Sequence, residues 1–167
     1  MSTTDKHPGE SAAREIERLT RELLVCLAPA DADKRYAAAA ADSWSAIEIL
    51  AHVVEFVPYW TDQAAAVSAR TDHTERPFGR THDDPTRIAA VREHARDRYE
   101  TLADRLREAA ARSASTLRAI PPAGWSRTAV HARRGSMSVE QIVRQFLLDH
   151  LEEHTTQATA AVGRRSP

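Results

Sequence analysis

The sequence predicts an all-α protein, a four-helix bundle, on three observations. Apolar residues recur at helical spacing over four long stretches. Two of these stretches begin with a capping box, and no stretch alternates apolar and polar residues as a half-buried strand would. The chain has 167 residues, 42% of them hydrophobic, which is enough for one domain with a core. We therefore expect a flexible polar tail over residues 1–10 and a bundle domain over residues 11–163.

The first helix is marked by a single apolar stripe that ends before Pro29. Cys26 lies on this stripe, so we interpret it as a small buried side chain rather than as a catalytic thiol. No second cysteine is present to form an internal disulfide. The stripe has helical spacing: Ile16, Leu19, Leu23 and Cys26 or Leu27.

The second helix is predicted to begin near Ser45, because Glu48 follows three residues later and completes a capping box. Pro58 should kink this helix rather than end it, since helical composition resumes through Ala69. The next stretch, RTDHTERPFGRTHDDP, is a long polar loop. Loops of this length inside a compact domain are often functional.

The third helix is predicted from Pro85 to about Ile120, where PPAGW ends it. SRTAVHARRGS then reads as a loop or a short extended piece. Ser138 and Gln141 form a second capping box, which opens the fourth helix. A long loop therefore separates helices two and three, and a shorter irregular segment separates helices three and four.

Charge and hydropathy exclude several functions. The net charge is −1 and the pI is near 6.7, so the chain has no basic field of the kind that nucleic-acid-binding proteins use. No apolar run approaches the roughly eighteen residues of a membrane span. A lone cysteine fits a reducing compartment. We therefore expect a cytoplasmic protein without nucleic-acid or membrane partners. Abundant arginine and alanine hint at a high-GC bacterial genome.

The stretch LLDHLEEHTTQ raises the question of a metal site. His150 and His154 are four residues apart, so their side chains project from one face of the fourth helix. Apolar residues precede them on that face, which directs the pair inward. Buried imidazole nitrogens need partners, and a metal ion would provide one. The alternative is that His150 and His154 lie on the surface of the helix and bind no metal.

His52, about two turns into the second helix, is the third candidate ligand. It lies at the edge of that helix's apolar face, and facing helices of a bundle can bring such side chains together. Three imidazoles would leave coordination positions open, as in catalytic zinc sites, whereas structural sites use four protein ligands.

Two segments, WSAIEILAHVVEFVPYW and GSMSVEQIVRQFLLDHLEEHTTQ, resemble the DinB-like superfamily of bacterial metal-binding bundles. The resemblance implies up-down-down-up connectivity, frequent homodimers, and a divalent metal, commonly zinc or nickel, on His52, His150 and His154. Members with known activity include transferases and isomerases that use mycothiol or bacillithiol, among them a maleylpyruvate isomerase. Mycothiol belongs to high-GC Gram-positive bacteria. The residues that carry the resemblance are Trp44, Ser45, Glu48, His52, His150, His154 and Gln157.

The chemistry follows from such an ion, since zinc deprotonates a coordinated thiol and lowers the pKa of bound water to about 7. Because Cys26 is interpreted as buried, the thiol would come from a small-molecule cosubstrate. We therefore expect a metal-dependent thiol-S-transferase or isomerase that acts on a low-molecular-weight thiol and an electrophilic substrate. The alternatives are a small metal-dependent hydrolase and a non-catalytic metal-binding or stress-related bundle. An open pocket beside the ligands would favour an enzyme.

The sequence does not decide the role of several further residues. Loop arginines and histidines could bind an anionic substrate or cofactor, although solvated surface residues are the commoner outcome. This group contains Arg80, His82, Arg127, His131, Arg133 and Arg134. His73 and His94 are interpreted as surface residues, and Trp44 and Trp125 as anchors between loops and core. Acidic residues that could orient ligand imidazoles are Glu48, Glu55, Asp149 and Glu153.

Overall fold

The computed structural model describes residues 7–38, 40, 43–72 and 74–163, so His73 lies outside the described residues. Val143–Leu148 is π-helical and joins the last two helices into one continuous rod, the C-terminal helix (residues 139–162). The helices are α1 (Pro8–Leu27), α2 (Ala32–Tyr36), α3 (Ala46–Ser68), α4 (Pro85–His94), α5 (Tyr99–Ala119), α6 (Val139–Ile142) and α7 (Asp149–Val162).

The predicted four-helix bundle is confirmed: α1, α3, α5 and the C-terminal helix surround one core. α1 packs against α5 and α7, and α3 packs against the same two helices, so α1 and α3 lie on a diagonal. Each helix contributes fully buried side chains, for example Ile16, Leu50, Leu106 and Leu147. Among the described residues, no helix is long and apolar enough to cross a membrane.

Contacts between helices fix their directions. The Tyr99 hydroxyl at the start of α5 donates to the carbonyl of Leu24 near the end of α1. α5 therefore runs opposite to α1. Along α3, Phe56 stacks on His150 and Trp60 on Phe146, at centroid distances of 4.5 and 4.4 Å. α3 therefore runs opposite to the C-terminal helix. These directions are compatible with up-down-down-up connectivity.

Both predicted capping boxes are present. The Ser45 hydroxyl accepts the backbone N–H of Glu48 at 3.3 Å, and the Glu48 carboxylate accepts the N–H of Ser45 at 2.8 Å. Ser138 and Gln141 make the same reciprocal pair at the start of α6. α3 also continues through Pro58 to Ser68, as predicted. The two caps fix where the histidine-bearing helices begin.

The N-terminal boundary differs from the prediction. α1 begins at Pro8 rather than after residue 10, because proline suits the first helical position and the His7 ring accepts the N–H of Gly9. Residues 1–6 of the predicted tail lie outside the described residues.

The prediction of one helix from Pro85 to Ile120 is wrong, because residues 95–98 separate α4 from α5. Nothing in this stretch is a helix-breaking proline or glycine. One local and one tertiary contact accompany the break instead. The Asp97 carboxylate lies 2.8 Å from the His94 ring, and the Asp97 carbonyl accepts the Tyr36 hydroxyl at 2.7 Å. Propensity is a weak prior that such contacts override.

A small sheet was also missed. Its strands are β1 (Pro77–Phe78), β2 (Thr128–His131) and β3 (Gly135–Ser138). β1 pairs in parallel with β2, and β2 pairs in antiparallel with β3. The hairpin turn uses Gly135 at φ +73°, a conformation that glycine adopts without strain. The sheet joins the long loop after α3 to the segment before the C-terminal helix, which brings both to one end of the bundle.

Candidate metal centre

The three predicted histidines come together between α3 and the C-terminal helix. One nitrogen from each of His52, His150 and His154 lies within 4.8 Å of the other two. His52 has no exposed surface, His154 is 6% exposed, and His150 is half-buried. The inward direction predicted for the pair on the C-terminal helix is therefore confirmed. These three side chains form a cluster that could hold a metal ion.

Hydrogen bonds orient the ring of His154. Its Nδ1 lies 2.9 Å from Oε1 of Gln157, and its Nε2 lies 2.9 Å from Nε2 of His150. Because an amide oxygen only accepts hydrogen bonds, Nδ1 of His154 carries the proton. The Gln157 amide nitrogen in turn donates to Glu153 at 3.3 Å. This chain of contacts leaves the Nε2 lone pair of His154 directed into the cluster, the arrangement that metal-ligating histidines share.

His52 is the unsatisfied member of the cluster. Both of its ring nitrogens are buried, and neither has a hydrogen-bond partner among the described residues. The Glu55 carboxylate is 3.9 Å from Nδ1 of His52, which is too far for a hydrogen bond. Buried polar groups without partners are rare and costly. An ion shared with His150 and His154 would satisfy one of these nitrogens, and three imidazoles suit zinc, nickel or copper.

Burial keeps the cluster neutral. Desolvation lowers the pKa of His52 to about 2, with a further contribution from His154. Desolvation likewise lowers the pKa of His154 to about 4, with His150 adding to the effect. The pKa of His150 is lowered by the same burial. Metal ligation requires unprotonated nitrogens, so the three rings are in the required state at neutral pH.

The π-helical segment directly precedes His150. Its wider turn is visible in the bond from the Asp149 N–H to the Arg144 carbonyl, five residues back. Such segments are rare and often occur at functional sites. Here it lies where Phe146 stacks on Trp60 and His150 stacks on Phe56. The segment therefore lies where the C-terminal helix meets the aromatic face of α3.

Aromatic rings surround much of the cluster. Trp44 is stacked 6.2 Å from His154 and meets His52 edge-on at 5.1 Å. Phe56 lies 5.0 Å from His52 on the other side. These rings shield the histidines from water and lower the local dielectric constant, which strengthens electrostatic interactions within the site.

A cavity of about 300 Å³ opens on the remaining side of the cluster. His52 and His150 form part of its wall, together with the rings of Trp60 and Phe146. Its other lining residues come from the long loop, α4 and the β2–β3 hairpin: Arg80, Thr81, His82, Arg87, His131, Arg133 and Arg134. A concave space beside the ligands is the feature that distinguishes a catalytic site from a closed structural one.

His131 lies at this cavity without joining the cluster. Its Nε2 is 3.1 Å from the Arg80 carbonyl, and its Nδ1 accepts the N–H of Arg133 at 3.3 Å. Both ring nitrogens are thus engaged by backbone groups. His131 therefore braces the long loop against the β2–β3 turn, so that the arginines of both segments face one space.

The other residues singled out from the sequence have varied positions. His82 is exposed and contacts Arg133, and His94 pairs with Asp97 at the helix break. Arg127 lines a different surface cleft. Asp149 pairs with Arg144, and Cys26 is half-buried on α1, so neither serves the cluster.

Arg87, in the first turn of α4, is a cavity residue that sequence reasoning missed. The only signal was that α4 starts where the long loop ends. Its position depends on α4 being a separate helix that packs on α3, which the residue pattern did not reveal.

A four-helix bundle with three inward histidines and an open cavity defines the class: a helical bundle with a candidate metal centre. The chain belongs to the DinB superfamily, whose sequence profile matches residues 12–158. The predicted family is therefore confirmed. A search of curated proteins gave no match.

Solved structures share the fold. YfiT from Bacillus subtilis, described as a probable metal-dependent hydrolase with an unusual four-helix bundle topology, has a TM-score of 0.74 at 12% identity, over 99% of this chain and 93% of YfiT. The mycothiol-dependent maleylpyruvate isomerase has a TM-score of 0.70 at 12% identity, over 99% of this chain. This chain spans 65% of that isomerase. At such identity the comparisons show the fold alone.

Proposed function

We propose that this protein is a divalent-metal-dependent enzyme, a thiol-S-transferase or isomerase that uses a low-molecular-weight thiol such as mycothiol. His52, His150 and His154 would hold the ion, with zinc or nickel as the expected metal. The observation that carries the proposal is the cavity beside two of the three histidines, combined with the partnerless nitrogens of His52. A closed structural site would have neither an adjoining cavity nor only three protein ligands.

The chain's own residues would prepare the site in three ways. Gln157 holds His154 in the tautomer whose Nε2 faces inward. Trp44 and Phe56 keep water from the flanks of the histidines. The cavity admits reactants from the side of Trp60 and Phe146. When bound, the ion would supply Lewis acidity that makes a coordinated thiol a thiolate at neutral pH.

The thiol is proposed to come from a second molecule. Cys26 is the one cysteine of the chain, and it packs on α1 against the core rather than at the cavity. The fold shared with a mycothiol-dependent isomerase supports this choice of cosubstrate. A homodimer in the cytoplasm remains our prediction.

The second candidate is a metal-dependent hydrolase. It is favoured by the fold shared with YfiT over nearly the whole length of both chains. Both candidates use the same ligands and cavity, but only the transferase or isomerase requires a thiol for turnover.

Elemental analysis of the untagged protein, beside a His52→Ala, His154→Ala double variant, tests the site first. We expect near-stoichiometric zinc or nickel in the wild type alone. Equal metal content in the two proteins, or no metal in either after incubation with divalent ions, would overturn the proposal.

The reaction is tested with the metal-loaded wild type. We expect it to consume an electrophile such as monochlorobimane or maleylpyruvate only when mycothiol is added. Hydrolysis of activated esters without any thiol would instead support the second candidate. The double variant is the control for the uncatalysed reaction of thiol with electrophile.

A further inference from the structure

The cavity beside the histidines carries a concentrated positive charge. Four of its eleven lining residues are arginines, and none of the eleven is an aspartate or a glutamate. Two of the arginines come from the long loop and α4, and two from the β2–β3 turn. Positive groups that converge on one small space select anionic ligands. The question is which arginines are available to such a ligand.

Arg80 is already engaged. Its guanidinium lies 2.6 Å from the Glu55 carboxylate and 3.9 Å from the centroid of the Tyr59 ring. The side chain of Arg80 is only 9% exposed. Arg80 and Glu55 thus form a neutral, largely buried pair that builds the wall of the cavity.

Arg87 is not neutralised in this way. It donates to the His82 carbonyl at 2.9 Å and forms no ion pair with a carboxylate in the described parts of the chain. Burial and the neighbouring charge of Arg80 lower its pKa, while the charges of Glu55 and Asp84 act in the opposite direction. The Arg87 guanidinium lies 5.3 Å from the ring of Trp44, which itself stacks on His154. The half-buried guanidinium of Arg87 is therefore separated from the histidine cluster only by the ring of Trp44.

The β2–β3 turn supplies the opposing charges. Arg134 contacts Gln145 at 3.4 Å and lies 5.8 Å from the Phe146 ring, with no carboxylate partner among residues 74–163. Arg133 contacts the exposed ring of His82 at 3.2 Å, and its carboxylate partner is the exposed Asp83, at 3.7 Å. Neither charge is neutralised by a close buried partner. Arg87 and Arg134 both line the cavity without an ion-pair partner in the described parts of the chain, so they are the two donors most available to a ligand.

The cavity's size and floor restrict the ligand further. A volume of about 300 Å³ is at the lower end of small-molecule sites, so the part of a ligand that lies inside the cavity is small. Trp60 and Phe146 provide apolar surface, which suits a short carbon chain. Planar guanidinium groups match the planar carboxylate in a two-pronged contact.

We propose that this cavity binds a small organic acid, with its carboxylate held by Arg87 and Arg134 and its carbon chain against Trp60 and Phe146. The acid would then lie beside His52 and His150. The inference names the substrate class of the proposed enzyme and rests on that proposed function, although the arginine contacts make the binding measurable without turnover.

Calorimetric titration of the metal-loaded protein tests the proposal. The probes are mono- and dicarboxylates of three to six carbons at millimolar concentration, with succinamide as the uncharged counterpart of succinate. We expect at least one acid to bind and the amide not to bind. Arg87→Gln and Arg134→Gln should each weaken binding about 10- to 100-fold, since each removes charge-assisted hydrogen bonds.

Arg92→Gln is the matched control, because Arg92 lies on the same helix as Arg87 and is exposed. It should leave binding unchanged. Since Arg134 is on an exposed turn, its variant stays informative if Arg87→Gln unfolds.

Three outcomes would overturn the proposal: no acid binds, sn-glycerol 3-phosphate binds while the acids do not, or acids bind equally well to the Arg87→Gln, Arg134→Gln double variant. The last outcome would mean that the ion alone holds the carboxylate. Metal content of the same samples separates this test from that of the proposed function, because the arginine variants should keep their metal whatever the acids do.

Discussion

The two sides of the bundle are built differently. Between α1 and α5 the packing is ordinary: apolar side chains such as Leu19 and Leu106 fill the interior. Exposed ion pairs, such as that of Arg118 with Glu10, connect the two helices at the surface. Between α3 and the C-terminal helix, three histidines, stacked aromatic rings and a π-helical segment lie beside aliphatic residues such as Leu50 and Leu147. Natural proteins depart from local rules mainly where function requires it. The contrast therefore separates scaffold from site.

Removing a histidine tests the difference between the two sides of the bundle most strongly. His150→Ala or His154→Ala should lower metal affinity more than about 100-fold, since even partners that only orient ligands cost 10- to 100-fold. His94→Ala is the control, because His94 pairs with Asp97 outside the cluster. Competition with a chelating dye measures the affinities. Equal affinities in all three variants would show that the triad is wrong.

On the scaffold side, Leu106→Ala should destabilise the protein by about 2–5 kcal/mol, because it leaves a cavity at a fully buried position. Its metal stoichiometry should stay the same as long as the protein is folded. Urea unfolding followed by circular dichroism measures the first quantity, and elemental analysis the second. Loss of metal from the folded variant would mean that the two sides are not separable.

Gln157→Leu makes a smaller change within the site. It removes the acceptor that holds the Nδ1 proton of His154, so metal affinity should fall about 10- to 100-fold. Gln157→Glu keeps an acceptor and should retain most of the affinity. If the leucine variant bound metal as tightly as the wild type, this contact would have no role in orienting His154.

The mildest test is the pH dependence of the metal-free protein. Because the folded pKa values of His52 and His154 lie below the ordinary value, the unfolded chain takes up protons first as the pH falls. The contribution of these two neutral rings to the free energy of unfolding is complete above a pH of about 6.5. As the pH falls from there toward the folded pKa values, this contribution is lost at up to about 1.4 kcal/mol per pH unit for each ring. Urea unfolding at several pH values measures it.

His52→Leu is the matched comparison for the pH series. It removes one titrating ring and should flatten the dependence of unfolding free energy on pH. The same slope in both proteins would mean that His52 titrates alike in the folded and unfolded chain.

Local signals predicted the scaffold and the histidine cluster well. Ser45 and Ser138 fixed two helix starts, and the four-residue spacing of His150 and His154 predicted their shared inward face. The helix break at residues 95–98 and the π-helical segment contain no proline or glycine, so no local signal in the sequence marks them. The four-residue strands are too short for alternation to mark them. Arg87 was missed for the same reason as the break, since its place at the cavity depends on how α4 packs.

The placement of the three candidate ligands on two helices far apart in sequence has a consequence for the lifetime of the protein. An unfolded chain would have to close a loop of about a hundred residues to bring His52 to His150, so it would bind the ion poorly. If only the folded state bound the ion, the metal would stabilise the protein by about 2.7 kcal/mol at a free concentration one hundred times the Kd. A cell short of the metal would then degrade this protein sooner, and its abundance would follow metal supply.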